Sequence, residues 1–361
     1  MGELKLMKGN EALAEAMIRA GCDAYFGYPI TPQSEVLEYL SKDATQRTGM
    51  VVLQAESEIA AINMIYGAAG CGRRVMTTSS SPGISLMQEG LSYIAGAELP
   101  CLIANVVRGG PGLGTIQPSQ ADYFQACKGG GHGDYKLIVL APSSVQEMVD
   151  FVKLGFELAE KYRNPAMILT DGAIGQMMEK VVLFDQMERK KEFPEWATIG
   201  KKEGKERNYI TSLHIQPDKM EEINIRLQNK YKEMQEKEVR YQAINIDDAE
   251  YIFTGYGLAA RISMKAMEIA RDNGYKVGLI RPITLFPFPS KIYNEISKKL
   301  KGILDIEMNA GQMVEDVRLA VNGQTQVEFY GRMGGMIPSP EEIYESFIKI
   351  FIEGEKNDRK Y

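Results

Sequence analysis

Short runs of uninterrupted apolar residues recur along this chain between amphipathic stretches, and that rhythm constrains the fold more than any other feature. In the first half the runs are VVLQA from Val51, VMTTSS from Val75, LPCLIANVV from Leu99, KLIVLAP from Lys136 and PAMILTD from Pro165. A strand with one wet face alternates apolar and polar residues. A strand buried on both faces need not, so continuous runs imply a parallel sheet covered by helices. Helical periodicity fills the intervals at roughly 9–20, 33–42, 57–70, 84–97 and 144–161, which predicts a doubly wound α/β domain.

From residue 185 to 245 the character changes to charged clusters such as ERKKEF, KKEGKER and NKYKEMQEKEVR. Lys and Glu at helical spacing mark a solvated face, so this stretch reads as a charged linker containing a helix. The β/α rhythm then returns with AEYIFTGYG, KVGLIRPITLFP, KGILDIEM and TQVEFYG. A chain of 361 residues exceeds what one core usually organises. The expected division is residues 1–184, the linker 185–245, and a second, smaller α/β domain over 246–361.

Composition removes several function classes. The 42 basic and 48 acidic residues leave a net charge of -6 and no basic stripe to neutralise a phosphate backbone, so nucleic acid is not an expected partner. No run approaches the ~20 apolar residues that span a bilayer, and MGELKLMKGNEALAEAM lacks a signal peptide's apolar stretch and cleavage site. A cytoplasmic protein with no membrane contact is expected. The four cysteines, Cys22, Cys71, Cys101 and Cys127, form no CxxC pair and read as buried free thiols. With His132 and His214 the only histidines, histidine-rich metal sites and Ser/His/Asp hydrolysis have few candidates. No metal ligand is assigned in this chain.

Three segments carry polar residues where such sheets bind ligands. CDAYFGYPITPQSEVLEYL runs from a strand through a turn into a helix, and its grammar predicts Thr31 as N-cap with Pro32 at the first helical position. Thr31 either does no more than cap, or stands where anionic ligands gather at a strand's carboxyl end; the two are compatible. In VVLQAESEIAAINMIYGAAG, Glu56 and Glu58 precede a helix apolar on nearly every side, whose burial would carry a first-turn carboxylate inward. Such a group is a simple dipole complement or a costly buried acid in need of a partner. The strand LPCLIANVV delivers Arg108 into GGPGLGT, where a guanidinium suits either bidentate carboxylate capture or a surface ion pair. These glycines are not GxGxxG, so a dinucleotide site is rejected.

Taken in order, GYPITP, ESEIAAINMIYGAAG, TTSSSPGISLMQEGLSYIAGAELP and NVVRGGPGLGT resemble the alpha subunits of 2-oxoacid:ferredoxin oxidoreductases. EMNAGQMVEDVRLAV and FYGRMGG resemble the family's C-terminal domain, so the likeness spans the chain. The resemblance implies a thiamin diphosphate pyrimidine-binding domain followed by a transketolase C-terminal-like domain. It implies that Glu58, rather than Glu56, contacts the aminopyrimidine ring, because only Glu58 has the family's spacing to Gly67. There a carboxyl favours the imino tautomer that activates the cofactor. Thr31 and Arg108 match the residues that hold the 2-oxoacid carboxylate, and Tyr28 and Pro29 belong to the cofactor-facing turn. The loop Ser79 to Gly83 is expected near the cofactor without individual roles.

The family's GDG motif for diphosphate and Mg2+ is missing, and Thr170-Asp171-Gly172 lacks its first glycine, so it reads as a strand end. The resemblance therefore implies a beta subunit carrying GDG and Mg2+, with gamma and iron-sulfur delta subunits relaying electrons to ferredoxin. The implied reaction is coenzyme A-dependent oxidative decarboxylation of a 2-oxoacid to an acyl-CoA. The likeness is greatest to the branched-chain 2-ketoisovalerate type. The 2-oxoglutarate and pyruvate types, another thiamin enzyme's pyrimidine chain, and a noncatalytic pyrimidine-domain scaffold stand as alternatives.

Overall fold

The computed structural model describes residues 2–201, 204 and 206–354. The chain begins with β1 (Glu3–Lys8), α1 (Gly9–Arg19), β2 (Ala24–Gly27), α2 (Ser34–Thr48), β3 (Val51–Gln54) and α3 (Glu58–Gly70). It continues through β4 (Val75–Ser79), α4 (Ser81–Gly96), β5 (Cys101–Val107), β6 (Ile138–Leu140) and α5 (Val145–Tyr162). Then come β7 (Pro165–Asp171), α6 (Gly172–Gln176), β8 (Met178–Leu183) and, beyond an irregular stretch, α7 (Pro217–Lys237). The second half holds β9 (Tyr241–Ile244), β10 (Tyr251–Thr254), α8 (Gly257–Asp272), β11 (Val277–Pro282), β12 (Thr284–Phe286) and α9 (Ser290–Ser297). It ends with β13 (Gly302–Glu307), α10 (Met313–Val321), β14 (Gln326–Gly331) and α11 (Pro340–Phe347).

Two large sheets organise these elements, one of order β12-β6-β7-β5-β4-β2-β3 and one of order β14-β13-β10-β11-β9, while β1 and β8 form a separate antiparallel pair. Four of the five first-half runs become the inner strands β4 to β7, where β5 and β7 are buried at every residue and pair in parallel from Cys101 opposite Pro165 to Val107 opposite Asp171. VVLQA instead becomes the edge strand β3, exposed at Val51 and Leu53 because it has a neighbour on one side only. Each large sheet is parallel except at one edge, where β12 and β9 run antiparallel to their neighbours. The apolar segment KVGLIRPITLFP therefore supplies two strands. Its first part is β11 in the second sheet, and its second part, β12, crosses to pair with β6 in the first. Pro282, which has no N–H to extend a ladder, stands at the crossing.

Helix ends follow local chemistry. Ser144 Oγ accepts from Glu147 N at 3.1 Å to start α5, and Ser339 with Glu342 forms a reciprocal cap around Pro340 at α11. Glycine at 49, with φ 73°, closes α2 in the left-handed region. The charged α7 buries only Ile223, Leu227, Tyr231 and Met234, one narrow stripe, as a largely solvated helix should.

The segment after β5 ties the two halves together. Gln120 N donates to Met308 O at 3.0 Å, Met308 N returns a bond to Gln120 Oε1 at 3.0 Å, and Gln120 Nε2 reaches Tyr256 O at 2.8 Å. Asn309 Nδ2 donates to Gln120 O at 2.9 Å and Gln312 Nε2 to Ala121 O at 2.8 Å. These buried pairs leave few polar groups at the junction unsatisfied.

Candidate active site

Strands β2, β3, β4 and β5 run parallel, so the segments that leave their carboxyl ends share one edge of the sheet. Chain order also reverses at β2, which lies between β3 and β4, and the crevice at such a reversal is where open α/β sheets place ligands. Tyr28, Pro29 and Thr31 follow β2, Glu58 begins the helix after β3, Ser79 to Gly83 follow β4, and Arg108 follows β5.

The turn after β2 is held from beneath. Gln33 is fully buried; its Nε2 donates to Tyr28 O at 3.3 Å, and its Oε1 accepts from Thr78, whose hydroxyl also meets Tyr25 Oη at 2.8 Å. Pro32 O accepts from Asn10 Nδ2 at 2.7 Å and from Gln176 Nε2 at 3.0 Å. The helix α2 consequently starts at Ser34, with Gln33 at the capping position, and the peptide between Thr31 and Pro32 is cis. Thr31 is therefore not a helix cap. Gln33 N bonds Ile30 O at 2.9 Å, closing a turn that ends before the helix begins, and Thr31 stands exposed on that turn beside the half-exposed Tyr28.

Glu58 is the first residue of α3. Ser57 caps the helix, its Oγ accepting from Ala60 N at 3.2 Å, and Glu58 is 5% exposed whereas Glu56 is open to solvent. Among the described residues the Glu58 carboxylate has no hydrogen-bond or ion-pair partner. It lies against Gly83, where an added Cβ would stand 2.6 Å from Glu58 Oε1 and 2.1 Å from Ser79 Oγ. The hydroxyls of Ser79 and Ser80 are buried and unpartnered, and that of Ser79 faces the same Gly83 gap as Glu58. Ser81 to Gly83 belong to the first turn of α4, not to a loop. The helix α3 is not buried all round: Ile59 is 50% and Met64 37% exposed, because only one face packs on α4 and the sheet.

Arg108 clasps two loops. Its Nη1 donates to Thr31 O at 2.9 Å and its Nη2 to Leu113 O at 3.2 Å, while Nε is buried without a partner. Ser81 Oγ bonds both the N (3.1 Å) and the O (3.2 Å) of Arg108, fixing α4 to the strand end. A cavity of about 620 Å³ opens here, lined by Ser81, Arg108, Asp122, Asn309, Gln312 and Met333 among others. Burial raises the Asp122 carboxyl above the usual range, against hydrogen bonds from Ser81 and Asn105. Asp171 closes β7 and caps α6, accepting from Ala173 N at 2.9 Å and Ile174 N at 3.1 Å; burial pushes it up to about 6. Cys22, Cys101 and Cys127 are buried free thiols, and Cys71 is a half-buried one.

Thr31 and Arg108 are joined by the Arg108 Nη1 to Thr31 O bond, whereas Glu58, at the same edge of the sheet, bonds neither of them and does not line the cavity beside Arg108. Gln33 and Gly83 were not assigned roles from the sequence. The signal for Gly83 was present, since a glycine within a helical pattern marks close packing. Gln33 gave none, because glutamine in a first helical turn is unremarkable on its surface.

Residues 15–256 match the family model described as "Pyruvate flavodoxin/ferredoxin oxidoreductase, thiamine diP-bdg", and residues 249–343 match "Pyruvate:ferredoxin oxidoreductase core domain II". The chain belongs to the 2-oxoacid:ferredoxin oxidoreductase family. It is 49% identical over 346 residues to the ketoisovalerate oxidoreductase subunit VorB of Methanothermobacter thermautotrophicus, with 96% of this chain and 97% of that protein covered. It is 36% identical over 371 residues to the 2-oxoglutarate synthase subunit KorA of Methanocaldococcus jannaschii, covering 96% and 100%. Among solved structures it is similar to the 2-oxoglutarate:ferredoxin oxidoreductase from Magnetococcus marinus with 2-oxoglutarate, coenzyme A and succinyl-CoA bound. The TM-score is 0.84 at 27% identity over 96% of this chain, which spans 65% of the length of that one. A split gene transketolase shares the fold alone, at 11% identity and TM-score 0.61. The chain is an oxidoreductase subunit of thiamin diphosphate type, and its two α/β domains are the pair the resemblance implied. No helix among the described residues is long and apolar enough to cross a membrane.

Proposed function

We propose that this chain supplies the pyrimidine half of a thiamin diphosphate site and grips the carboxylate of a branched-chain 2-oxoacid. The observation that carries the reading is Glu58: a carboxylate buried at a sheet's carboxyl edge with no protein partner, beside a glycine whose missing side chain leaves it room. A carboxyl that no protein group bonds is free to share a proton with a ring nitrogen of an aminopyrimidine, the contact that favours the imino tautomer. The donor set fits the group: an acid to bond and activate the ring, unpartnered Ser79 and Ser80 hydroxyls nearby, and Tyr28 and Pro29 on the adjoining turn. Thiamin diphosphate, when bound, supplies a carbon nucleophile and an electron sink for decarboxylation.

Arg108 and Thr31 hold the substrate carboxylate in this reading. The free Nε–H of Arg108 is already desolvated, so a carboxylate reaching it regains a strong charge-assisted bond. The substrate class follows the two relatives named for ketoisovalerate, which share 49% and 48% of their residues with this chain, against 36% for one named for 2-oxoglutarate. The diphosphate and Mg2+ fall to a beta subunit with a GDG motif. Gamma and iron-sulfur delta subunits, ferredoxin and coenzyme A complete the reaction, and the assembly is cytoplasmic. The pyrimidine domain is built on residues 1–184 and the C-terminal domain on the chain from β9 at Tyr241 onward rather than from 246, with β12 returning to the first sheet, so the linker ends before β9.

Glu58→Gln tests the reading. The amide keeps the volume but relays protons poorly, so turnover of the assembled complex with 2-oxoisovalerate and a viologen dye should fall ~100-fold or more while assembly is retained. Near wild-type turnover would remove Glu58 from the role and promote Glu56.

A further inference from the structure

The motif FYGRMGG lies in the second domain, away from the sheet edge that carries Glu58, yet its glycines touch the loop that carries Arg108. We infer that the Gly334–Gly335 turn is a brace that positions Arg108, so that the second domain of this chain sets the grip on the substrate carboxylate. The inference rests on Arg108 having that role.

The two loops approach backbone against backbone at Gly109 and backbone against side chain at Gly335. A Cβ on Gly109 would lie 3.0 Å from Gly335 N and 3.1 Å from the carbonyl carbon of Gly334. In the other direction, a Cβ on Gly335 would lie 2.4 Å from Gln117 Cβ and 3.1 Å from Thr115 Cγ2. Gly334 and Gly335 also have φ of 64° and 96°, a region that side chains rarely enter. Nothing larger than glycine allows this approach.

Both sides of the contact are stiff. On the second-domain side, Arg332 N bonds Glu307 O at 3.2 Å, the Arg332 guanidinium pairs with Glu342, and Met336 N returns to Met333 O at 3.2 Å. Glu307 itself is buried and accepts from Gln312 N, Met313 N and Val314 N, so the base of the turn is anchored in the first turn of α10. On the other side, Gly109 N bonds Gln117 O at 2.9 Å and Thr115 N bonds Gly109 O at 2.8 Å, closing a small loop. That loop presents Leu113 O to Arg108 Nη2. Its far end continues into Ser119 and Gln120, which are bonded to Met308 and Tyr256. The Arg108 loop is thus held by the second domain at its middle and at its end. A guanidinium that must meet a carboxylate through paired bonds depends on such placement, since small displacements at a reacting site are costly.

Gly335→Ala is the test, made in the full chain and assayed in the complex with its partner subunits. The Michaelis constant for 2-oxoisovalerate should rise about tenfold or more with kcat within about twofold, the pattern of a lost binding contact. In the full chain without cofactor or substrate, amide hydrogen exchange over residues 109–117 should accelerate. Gln117→Gly in the Gly335→Ala background removes the atom met at 2.4 Å and should recover part of the loss. If Gly335→Ala does not fold, Gly109→Ala made with Thr115→Ser, which removes the Cγ2 that the new Cβ would otherwise meet at 2.8 Å, probes the same contact from the other side, where φ is ordinary, and should give the same pattern relative to Thr115→Ser alone. An unchanged Michaelis constant together with unchanged exchange in the folded variant overturns the brace. Arg108→Lys is the control: if exchange accelerates in Gly335→Ala but neither variant moves the Michaelis constant, the failed step is the role of Arg108 and the brace stands.

Discussion

Gly83→Ala should abolish most activity while leaving the protein nearly as stable, and the structure gives reasons for both halves of that expectation. The new Cβ would stand 2.1 Å from Ser79 Oγ, 2.6 Å from Glu58 Oε1 and 2.9 Å from Glu58 Cγ, well inside van der Waals contact. Ser79 can turn its hydroxyl about one bond. Glu58 has to withdraw its whole side chain by roughly 1 Å to reach ordinary contact distance, and displacement on that scale typically costs about 100-fold in rate. The stability terms oppose each other. Overpacking a buried site costs ~1–3 kcal/mol, and alanine in place of glycine in a helix returns up to ~1 kcal/mol. The difference, roughly 0–3 kcal/mol, corresponds to a fall of no more than about 4 °C in unfolding temperature for a chain of 361 residues.

The assay pairs calorimetric unfolding of the isolated chain with dye-linked turnover of the complex. Turnover within about twofold of wild type would refute the reasoning, because Glu58 would then work from a displaced position. A large fall in unfolding temperature with proportionate loss of activity would refute it differently, by showing that Gly83 serves packing rather than the carboxylate.

Other expectations follow from single groups. Arg108→Lys should raise the Michaelis constant for the 2-oxoacid at least tenfold, since an ammonium lacks the rigid planar fork that spans Thr31 O and Leu113 O while presenting Nε–H; steady-state kinetics with unchanged saturation would make it a structural clasp. Asp171 titrates near 6 when folded against 3.8 as its ordinary value, so the native chain binds the extra proton and its stability falls as pH rises from about 4 to 6, by roughly 3 kcal/mol. Asp171→Asn keeps a capping oxygen and should flatten that fall in denaturant titrations across this range; an unchanged slope would assign the pH dependence elsewhere. Titration calorimetry of the isolated chain with thiamin diphosphate and Mg2+ should show weak binding, and tight one-to-one binding would place the diphosphate site in this polypeptide.

The layered fold was legible because each central strand is buried on both faces, and burial on both faces writes itself as an unbroken apolar run. What stayed hidden were features set by distant partners. KVGLIRPITLFP reads as one strand, yet hydrogen bonding to β6 rather than to the second sheet decides where its last residues go, and β6 lies more than a hundred residues earlier. Thr31 followed the grammar of a cap, but Asn10 and Gln176 together hold the carbonyl of Pro32 and delay the helix to Ser34. The same logic applies within the site. Thr31, Arg108 and the pair Glu56 and Glu58 drew attention because each stands where a strand run ends, a position that sequence periodicity marks; the preference for Glu58 over Glu56 came from the family resemblance alone. Gly83 and Gly335 matter through what they leave empty, and an empty volume has no signature until the neighbours that need it are in place. A glycine between two chemically committed residues is therefore the position at which a single added methyl group separates the demands of folding from those of function, and Gly83, between Ser79 and Glu58, is that position here.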